Sequence, residues 1–177
     1  MMAKDTSLRR VLMTETRDLH VRLDDAIGSF ADPAAYRAFL SGSYAFRAAV
    51  EPALARPGWQ VQRLAPLIAL DLADLDMPRP ALPDAPVLAD PAAQAAACYV
   101  LEGSALGARL LARRAADQGF TPERGARHLA AQTGSPRRWR QFLDWLEGAD
   151  IPPAPAVTAA RAVFGLALRA YGVKAPA

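Results

Sequence analysis

The sequence contains one cysteine and two histidines among 177 residues, and this scarcity limits the chemistry that its side chains support alone. The single cysteine, Cys98, excludes an internal disulfide and fits a reducing compartment. His20 and His128 do not form with Cys98 the paired His/Cys spacing of a zinc site. Any metal chemistry must therefore depend on very few protein ligands.

Long apolar runs, strand patterns and a secretory leader are also missing. The apolar runs are too short, or too interrupted by charge, to span a membrane, and no apolar leader segment follows the early basic residues. No segment alternates polar and apolar residues between hairpin turns, which argues against strands. The net charge of +3 permits an anionic partner without requiring nucleic acid. We expect one cytoplasmic domain over residues 1–177, with 1–6 flexible, no membrane association and no nucleic-acid partner.

Helical periodicity dominates the rest of the chain and predicts an all-α fold of about seven helices. Asp32-Pro33 and Asp90-Pro91 each combine a capping side chain with a proline suited to the first helical turn. Ser41-Gly42-Ser43 is expected to bend the second helix, Arg56-Pro57-Gly58 to break the chain, and proline-rich residues 76–90 to form an extended connection. The predicted helices cover residues 8–27, 33–52, 64–75, 91–116, 122–133, 136–147 and 157–171.

Two glycines lie inside the longest predicted helix, where alanine would be more stable. Gly103 and Gly107 are spaced to fall on one helix face, with Tyr99 on the same face one turn earlier. Each glycine costs about 1 kcal/mol relative to alanine in a helix interior. The pattern indicates that another group approaches the helix backbone closely along this face.

His20 has two interpretations on its spacing alone. It lies in the first predicted helix on the face of Thr16, with Asp24 one turn later. It is either a histidine at the edge of the core, bonded to a carbonyl or to Asp24, or a metal ligand whose tautomer Asp24 or a backbone group fixes. One histidine cannot hold a bare ion, but haem supplies four nitrogens and needs one axial ligand. The glycine face would then suit the opposite side of a flat porphyrin.

The residues around His20 and around the glycines resemble those of a known family. The run TRDLHVRLD (16–24) resembles the proximal helix of haem oxygenases, and YVLEGSALGARLL (99–111) resembles the glycine-rich distal helix of their bacterial members. The later spacing of Gly134, Trp139 and Phe142 is also similar, so the likeness covers residues 8–147. It implies that His20 is the proximal iron ligand, that Gly103 and Gly107 lie over the dioxygen site, and that Tyr99 lies near a haem propionate.

The resemblance also implies an activity. Haem, as both cofactor and substrate, would be oxidised to biliverdin, carbon monoxide and iron, using dioxygen and electrons from a ferredoxin or a flavoprotein reductase. Biliverdin would pass to a photoreceptor, or the purpose would be iron release. A protein of the same fold that binds haem without cleaving it, for storage, transport or sensing, is the closest alternative.

A role or a location is also expected for several other residues. Arginines bind carboxylates bidentately, so propionate-binding roles are expected for Arg17 and for the cluster of Arg137, Arg138 and Arg140, with Thr16 beside them. Ser104 either joins a water network at the distal site or bonds back to the carbonyl of Val100. His128 is expected at the surface or core edge, and Cys98 is expected to be packed and inert. Ser104 replaces an aspartate of animal members, and Ala108 replaces a glycine of many relatives.

Two other classes of function compete with this interpretation. Ala130 and Gly134 followed by basic residues 135–140 resemble a helix-turn-helix, but Arg140 stands where a buried apolar residue is required and Pro136 intrudes on the second helix. A helical bundle with an unrelated ligand would use the glycines for close helix packing. The haem interpretation instead requires His20 and Gly103 on opposite walls of a gap.

Overall fold

The computed structural model describes residues 7–55 and 58–173, and within these ranges it contains nine α-helices and one 3-10 turn but no strand. This confirms the predicted all-α fold. The expectation for residues 1–6 and part of the expected break at 56–58 lie outside the described residues. The helices are α1 Leu8–Glu15, α2 Arg17–Ile27, α3 Pro33–Val50, α4 Ala65–Asp74, α5 Pro91–Gly103, α6 Ala105–Asp117, α7 Arg127–Thr133, α8 Arg138–Gly148 and α9 Pro153–Ala170, with the 3-10 turn at Glu51–Ala53.

Two of the predicted helices are each divided in two, which raises the count of helices above seven. The division between α1 and α2 falls at Thr16, whose hydroxyl donates to the Leu12 carbonyl at 2.8 Å. The division between α5 and α6 falls at Ser104, whose hydroxyl donates to the Leu101 carbonyl at 2.7 Å. Such bonds from Ser and Thr hydroxyls to carbonyls three or four residues earlier compete with helix hydrogen bonds. These hydroxyl bonds do not change the spacing of apolar residues, so hydrophobic periodicity does not predict the two divisions.

The α3 helix runs without interruption through Ser41-Gly42-Ser43. Gly42 is needed there because a Cβ would lie 2.5 Å from the ring of Tyr171. One other local prediction was wrong, because no helix begins at Pro122. Thr121 and Arg124 exchange backbone hydrogen bonds of 3.0 and 2.9 Å, and a positive φ at Gly125 delays the helix start to Arg127.

The α5 helix is largely buried and packs along α9, against which α1, α2 and α3 also pack. Alanines on α5 allow this close approach, and its residues from Ala95 to Cys98 are buried. The stretch Pro91–Asp117 is long and apolar enough to cross a membrane. However, a helix buried in a bundle core has the same composition, and this stretch is broken at Ser104.

The connection between α4 and α5 carries no regular secondary structure over residues 77–89. A space remains between α2 and the α5–α6 pair. This space contains the candidate site.

Candidate functional site

A cavity of about 380 Å³ lies between α2 and the break that separates α5 from α6. His20 lines it from α2, and Gly103 and Gly107 line it from the α5–α6 pair. Its other walls come from α3, α4, α7, α8 and α9, including Phe46, Ile68, Trp139, Phe164 and Ala167. The structure therefore places the histidine and the glycines, which are far apart in sequence, on one apolar cavity.

The glycine face is open to the cavity. A Cβ on Gly107 would meet no atom within 4 Å, and a Cβ on Gly103 would meet only the Trp139 ring, at 3.7 and 3.8 Å. These distances are ordinary contacts, so neither glycine is required for close packing against another helix. This contradicts the alternative in which the glycines serve helix packing. The missing side chains instead leave room for a flat group against the helix backbone.

His20 is accessible from the cavity. Its side chain is 54% exposed, and its Nδ1 lies 3.3 Å from Oδ2 of Asp24. The Phe164 ring lies at 5.9 Å in an edge arrangement. The carboxylate beside Nδ1 favours the tautomer in which Nε2 keeps its lone pair, as in metal-binding histidines. The described residues contain no group of three or more His, Cys, Asp or Glu that could hold a metal ion. This donor set fits haem, which needs one axial ligand, and not a bare ion.

The hydroxyl of Ser104 is fully engaged at the helix break. It donates to the Leu101 carbonyl, not to the Val100 carbonyl considered from the sequence. It also accepts hydrogen bonds from Nη2 of Arg47 at 2.8 Å and from Nε2 of Gln132 at 2.9 Å. Ser104 therefore has no second proton to offer, and Arg47 and Gln132 join it as polar residues of the cavity wall.

His128 was wrongly expected to lie at the surface or core edge. It is 2% exposed and lines the inner end of the cavity. Its Nδ1 lies 2.7 Å from Oδ2 of Asp71, while its buried Nε2 has no hydrogen-bond partner among the described residues. Asp71 also accepts from the backbone N–H and Nε of Arg127, at 3.0 and 2.9 Å. The Nδ1–H tautomer is thereby fixed, and Nε2 is a hydrogen-bond acceptor.

Burial lowers the pKa of His128 below its ordinary value, although Asp71 acts in the opposite direction. The folded protein therefore binds fewer protons at His128 than the unfolded chain does below pH 6.5. We expect the free energy of unfolding to decrease as the pH falls below this value, and to decrease less in His128→Gln. Chemical denaturation on both sides of pH 6.5 measures the difference. If the free energy of unfolding changes equally with pH in wild type and in His128→Gln, the lowered pKa of His128 is contradicted.

The expected propionate-binding arginines are not brought to the cavity lining. Arg138 donates from Nε to Glu102 at 2.8 Å and from Nη2 to the other carboxylate oxygen at 2.6 Å. It also bonds the Gln60 carbonyl and covers the Trp59 ring. The buried Glu102 carboxylate thus holds this guanidinium in an ion pair outside the cavity lining. Arg17 and Arg137 are exposed.

We expect Arg138→Met to destabilise the fold, because it removes the cation from a buried carboxylate. The loss should be about 2–3 kcal/mol in the free energy of unfolding, since Trp59 and the Gln62 N–H still donate to Glu102. Denaturation of Arg138→Met beside Arg137→Met, a matched exposed neighbour, checks this. A loss of haem affinity without a loss of stability would instead support the propionate-binding role.

Tyr99 lines the cavity near the division between α1 and α2. Burial raises the pKa of its phenol, while the charge of Arg9 and a hydrogen bond with Thr16 offset part of this effect. Thr16 itself is buried. Tyr99 therefore lines the cavity, whereas neither Thr16 nor Arg9 is part of the lining.

The other missed residues had a weak signal in the sequence. Asp71 stands in an otherwise apolar stretch of α4, and Arg47 stands between buried residues of α3. A charged residue within an apolar helix face implies a buried partner. The partners themselves, His128 for Asp71 and Ser104 for Arg47, are distant in sequence and required the structure.

Fold and site together define a helical protein with a cavity for a flat ligand between a histidine-bearing helix and a glycine-bearing helix. The sequence matches no protein-family model. It is 33% identical over 149 residues to the haem oxygenase PigA of Pseudomonas aeruginosa, covering 77% of this chain and 75% of that protein. The structure is similar to a haem oxygenase from Neisseria meningitidis solved with NO and CO bound, with a TM-score of 0.78 and 26% identity over 97% of this chain and 96% of that one.

The chain belongs to the haem oxygenase family, as these two similarities show. It is accordingly an enzyme, an all-α oxidoreductase of haem degradation.

Proposed function

We propose that this enzyme cleaves haem to biliverdin, carbon monoxide and iron, with His20 as the iron ligand and the face of Gly103 and Gly107 as the opposite wall. The observation that carries the proposal is the open glycine face across a cavity from an exposed histidine. The cavity lining is mainly aromatic and aliphatic, as a porphyrin requires.

On the proximal side, Nε2 of His20 would hold the iron of a bound haem, and Asp24 beside Nδ1 would orient the imidazole. A neutral nitrogen ligand leaves the iron of a bound haem able to bind dioxygen, and the porphyrin supplies the carbon that is oxidised. Phe164 packs at the edge of the imidazole and limits its rotation.

On the distal side, the backbone at Gly103 and Gly107 would lie close to one face of the porphyrin. It would leave no room there for a bulky group. Trp139 closes the same wall, stacked on Phe142 at 5.6 Å. His128, whose Nε2 has no hydrogen-bond partner among the described residues, and Gln132 supply polar groups to the cavity wall. The Ser104 hydroxyl donates to the Leu101 carbonyl, so Ser104 acts toward other groups only as a hydrogen-bond acceptor.

The hydroxyl of Tyr99, which lines the cavity, is the proposed partner of one propionate. Arg17 and Arg137 are exposed and reach a propionate only if it extends beyond the lining. The proposed electron donor is a ferredoxin or a flavoprotein reductase. The proposed setting is the cytoplasm, with biliverdin passed to a photoreceptor or iron released.

Hemin titration followed by turnover tests this function. We expect a sharp Soret band at one hemin per chain, and conversion to biliverdin absorption with release of carbon monoxide when reductant and dioxygen are added. Absence of stoichiometric binding would contradict the proposal. A haem complex that is never consumed would show the alternative function, haem binding without cleavage.

A further inference from the structure

The break between α5 and α6 is held by a buried cation from another helix. Arg47 of α3 donates from Nη2 to the Leu101 carbonyl at 3.1 Å and to the Ser104 hydroxyl at 2.8 Å. Its side chain is buried and lines the cavity. This guanidinium has no role in the proposed haem ligation or in the polar contacts proposed for His128 and Gln132.

The second terminal nitrogen of the Arg47 guanidinium, Nη1, is also held by hydrogen bonds. Nη1 donates to Oε1 of Glu51 at 3.0 Å and to the Gln62 carbonyl at 3.2 Å. Glu51 also accepts from the backbone N–H groups of Leu64 and Ala65, where α4 begins without a capping side chain of its own. Arg47 is therefore braced against a carboxylate that is itself fixed to the backbone.

The contacted atoms are those that define the break. Leu101 lies in the last turn of α5, where carbonyls lose their partners within the helix. Arg47 satisfies this carbonyl with a charge-assisted bond and simultaneously orients the Ser104 hydroxyl. Gly103 lies between the two contacted residues, so the guanidinium holds both ends of the backbone segment that presents the glycine face.

We infer that Arg47 is a positioning residue that fixes the α5–α6 break, and through it the height of the Gly103 backbone over bound haem. The inference rests on the proposed function for its second half only. An arginine is needed because its planar fork reaches four acceptors at once, whereas the compact ammonium of lysine does not reproduce that geometry.

Amide hydrogen exchange in the haem-free protein tests the clamp directly. Arg47→Lys keeps the charge, and the double variant Arg47→Met with Glu51→Gln removes the pair without leaving a buried lone carboxylate. We expect exchange at residues 104–108 to rise by roughly tenfold or more in both variants, while α9 is unchanged. Arg37→Met is the matched control, since Arg37 also lies on α3 and bonds one carbonyl, that of Leu75 at 2.9 Å.

The carbon monoxide complex of the reduced haem-loaded protein provides the second measurement. Arg47→Lys should shift and broaden the C–O stretching band, which reports on the distal wall, and Arg37→Met should leave it unchanged. Unchanged exchange at residues 104–108 would overturn the clamp even if the enzyme degrades haem. Faster exchange with an unchanged C–O band would overturn the effect on the haem site. If wild type binds no hemin, the proposed function fails, and the exchange result still decides the clamp.

Discussion

Replacing His20 by alanine is expected to abolish haem turnover while leaving the fold intact. The imidazole is half exposed on the cavity, so its removal costs little packing. Loss of residues that merely orient a metal ligand typically lowers metal affinity or activity by about 10–100-fold, so loss of the ligand itself should exceed roughly 100-fold. Visible spectra of the hemin complex and rates of biliverdin formation measure the effect.

Asp24→Asn provides a graded comparison with His20→Ala. It keeps the imidazole but weakens the group beside Nδ1, so a smaller loss, within about 10–100-fold, is expected. Added imidazole should partly restore the Soret band in His20→Ala, because the cavity left by the side chain opens to solvent. Wild-type turnover in His20→Ala, with helix content unchanged, would remove His20 from the site.

Substitution of Gly107 should separate stability from function. Gly107→Ala is expected to stabilise the haem-free protein by up to about 1 kcal/mol, the value for a helix interior, because alanine has the higher helix propensity, Gly107 lies in the first turn of α6 and the new Cβ meets no atom. The larger Gly107→Leu should place a side chain in the cavity and reduce hemin affinity by roughly ten- to a hundredfold, the equivalent of about 1–3 kcal/mol of overpacking.

Gly165 supplies the matched control. It lies inside α9 but outside the cavity lining, and its added Cβ would meet only the flexible end of Arg169, at 3.6 Å. Gly165→Ala should therefore give a similar gain in stability with no change in hemin affinity or turnover. Unfolding of the haem-free proteins and hemin titration are measured in parallel. If Gly107→Leu binds hemin as wild type does, the glycine face does not contact the ligand.

The overall fold was predictable from the sequence because helix periodicity and caps are local signals. The side-chain bonds of Asp32 and Asp90 to the first turns of α3 and α5 are those expected from the cap-plus-proline pattern. The divisions at Thr16 and Ser104 were not predicted, since a hydroxyl that bonds its own helix leaves the apolar pattern unchanged.

The candidate site was predictable only in part, for a related reason. His20 and the glycines stood out because one is rare and the others are costly in a helix. The ion pair of Arg138 was not predicted, because exposed and buried arginines look alike in sequence and its partner Glu102 lies on another helix. His128 was missed because its significance depends on Asp71, which only the packing of α4 against α7 brings beside it.

The most direct measurement of the central claim is the crystal structure of the hemin complex. The predicted result is an iron bound by Nε2 of His20, with the backbone of Gly103 and Gly107 against the opposite face of the porphyrin. An iron bound by His128, or a porphyrin seated outside the cavity between α2 and the α5–α6 break, would contradict it.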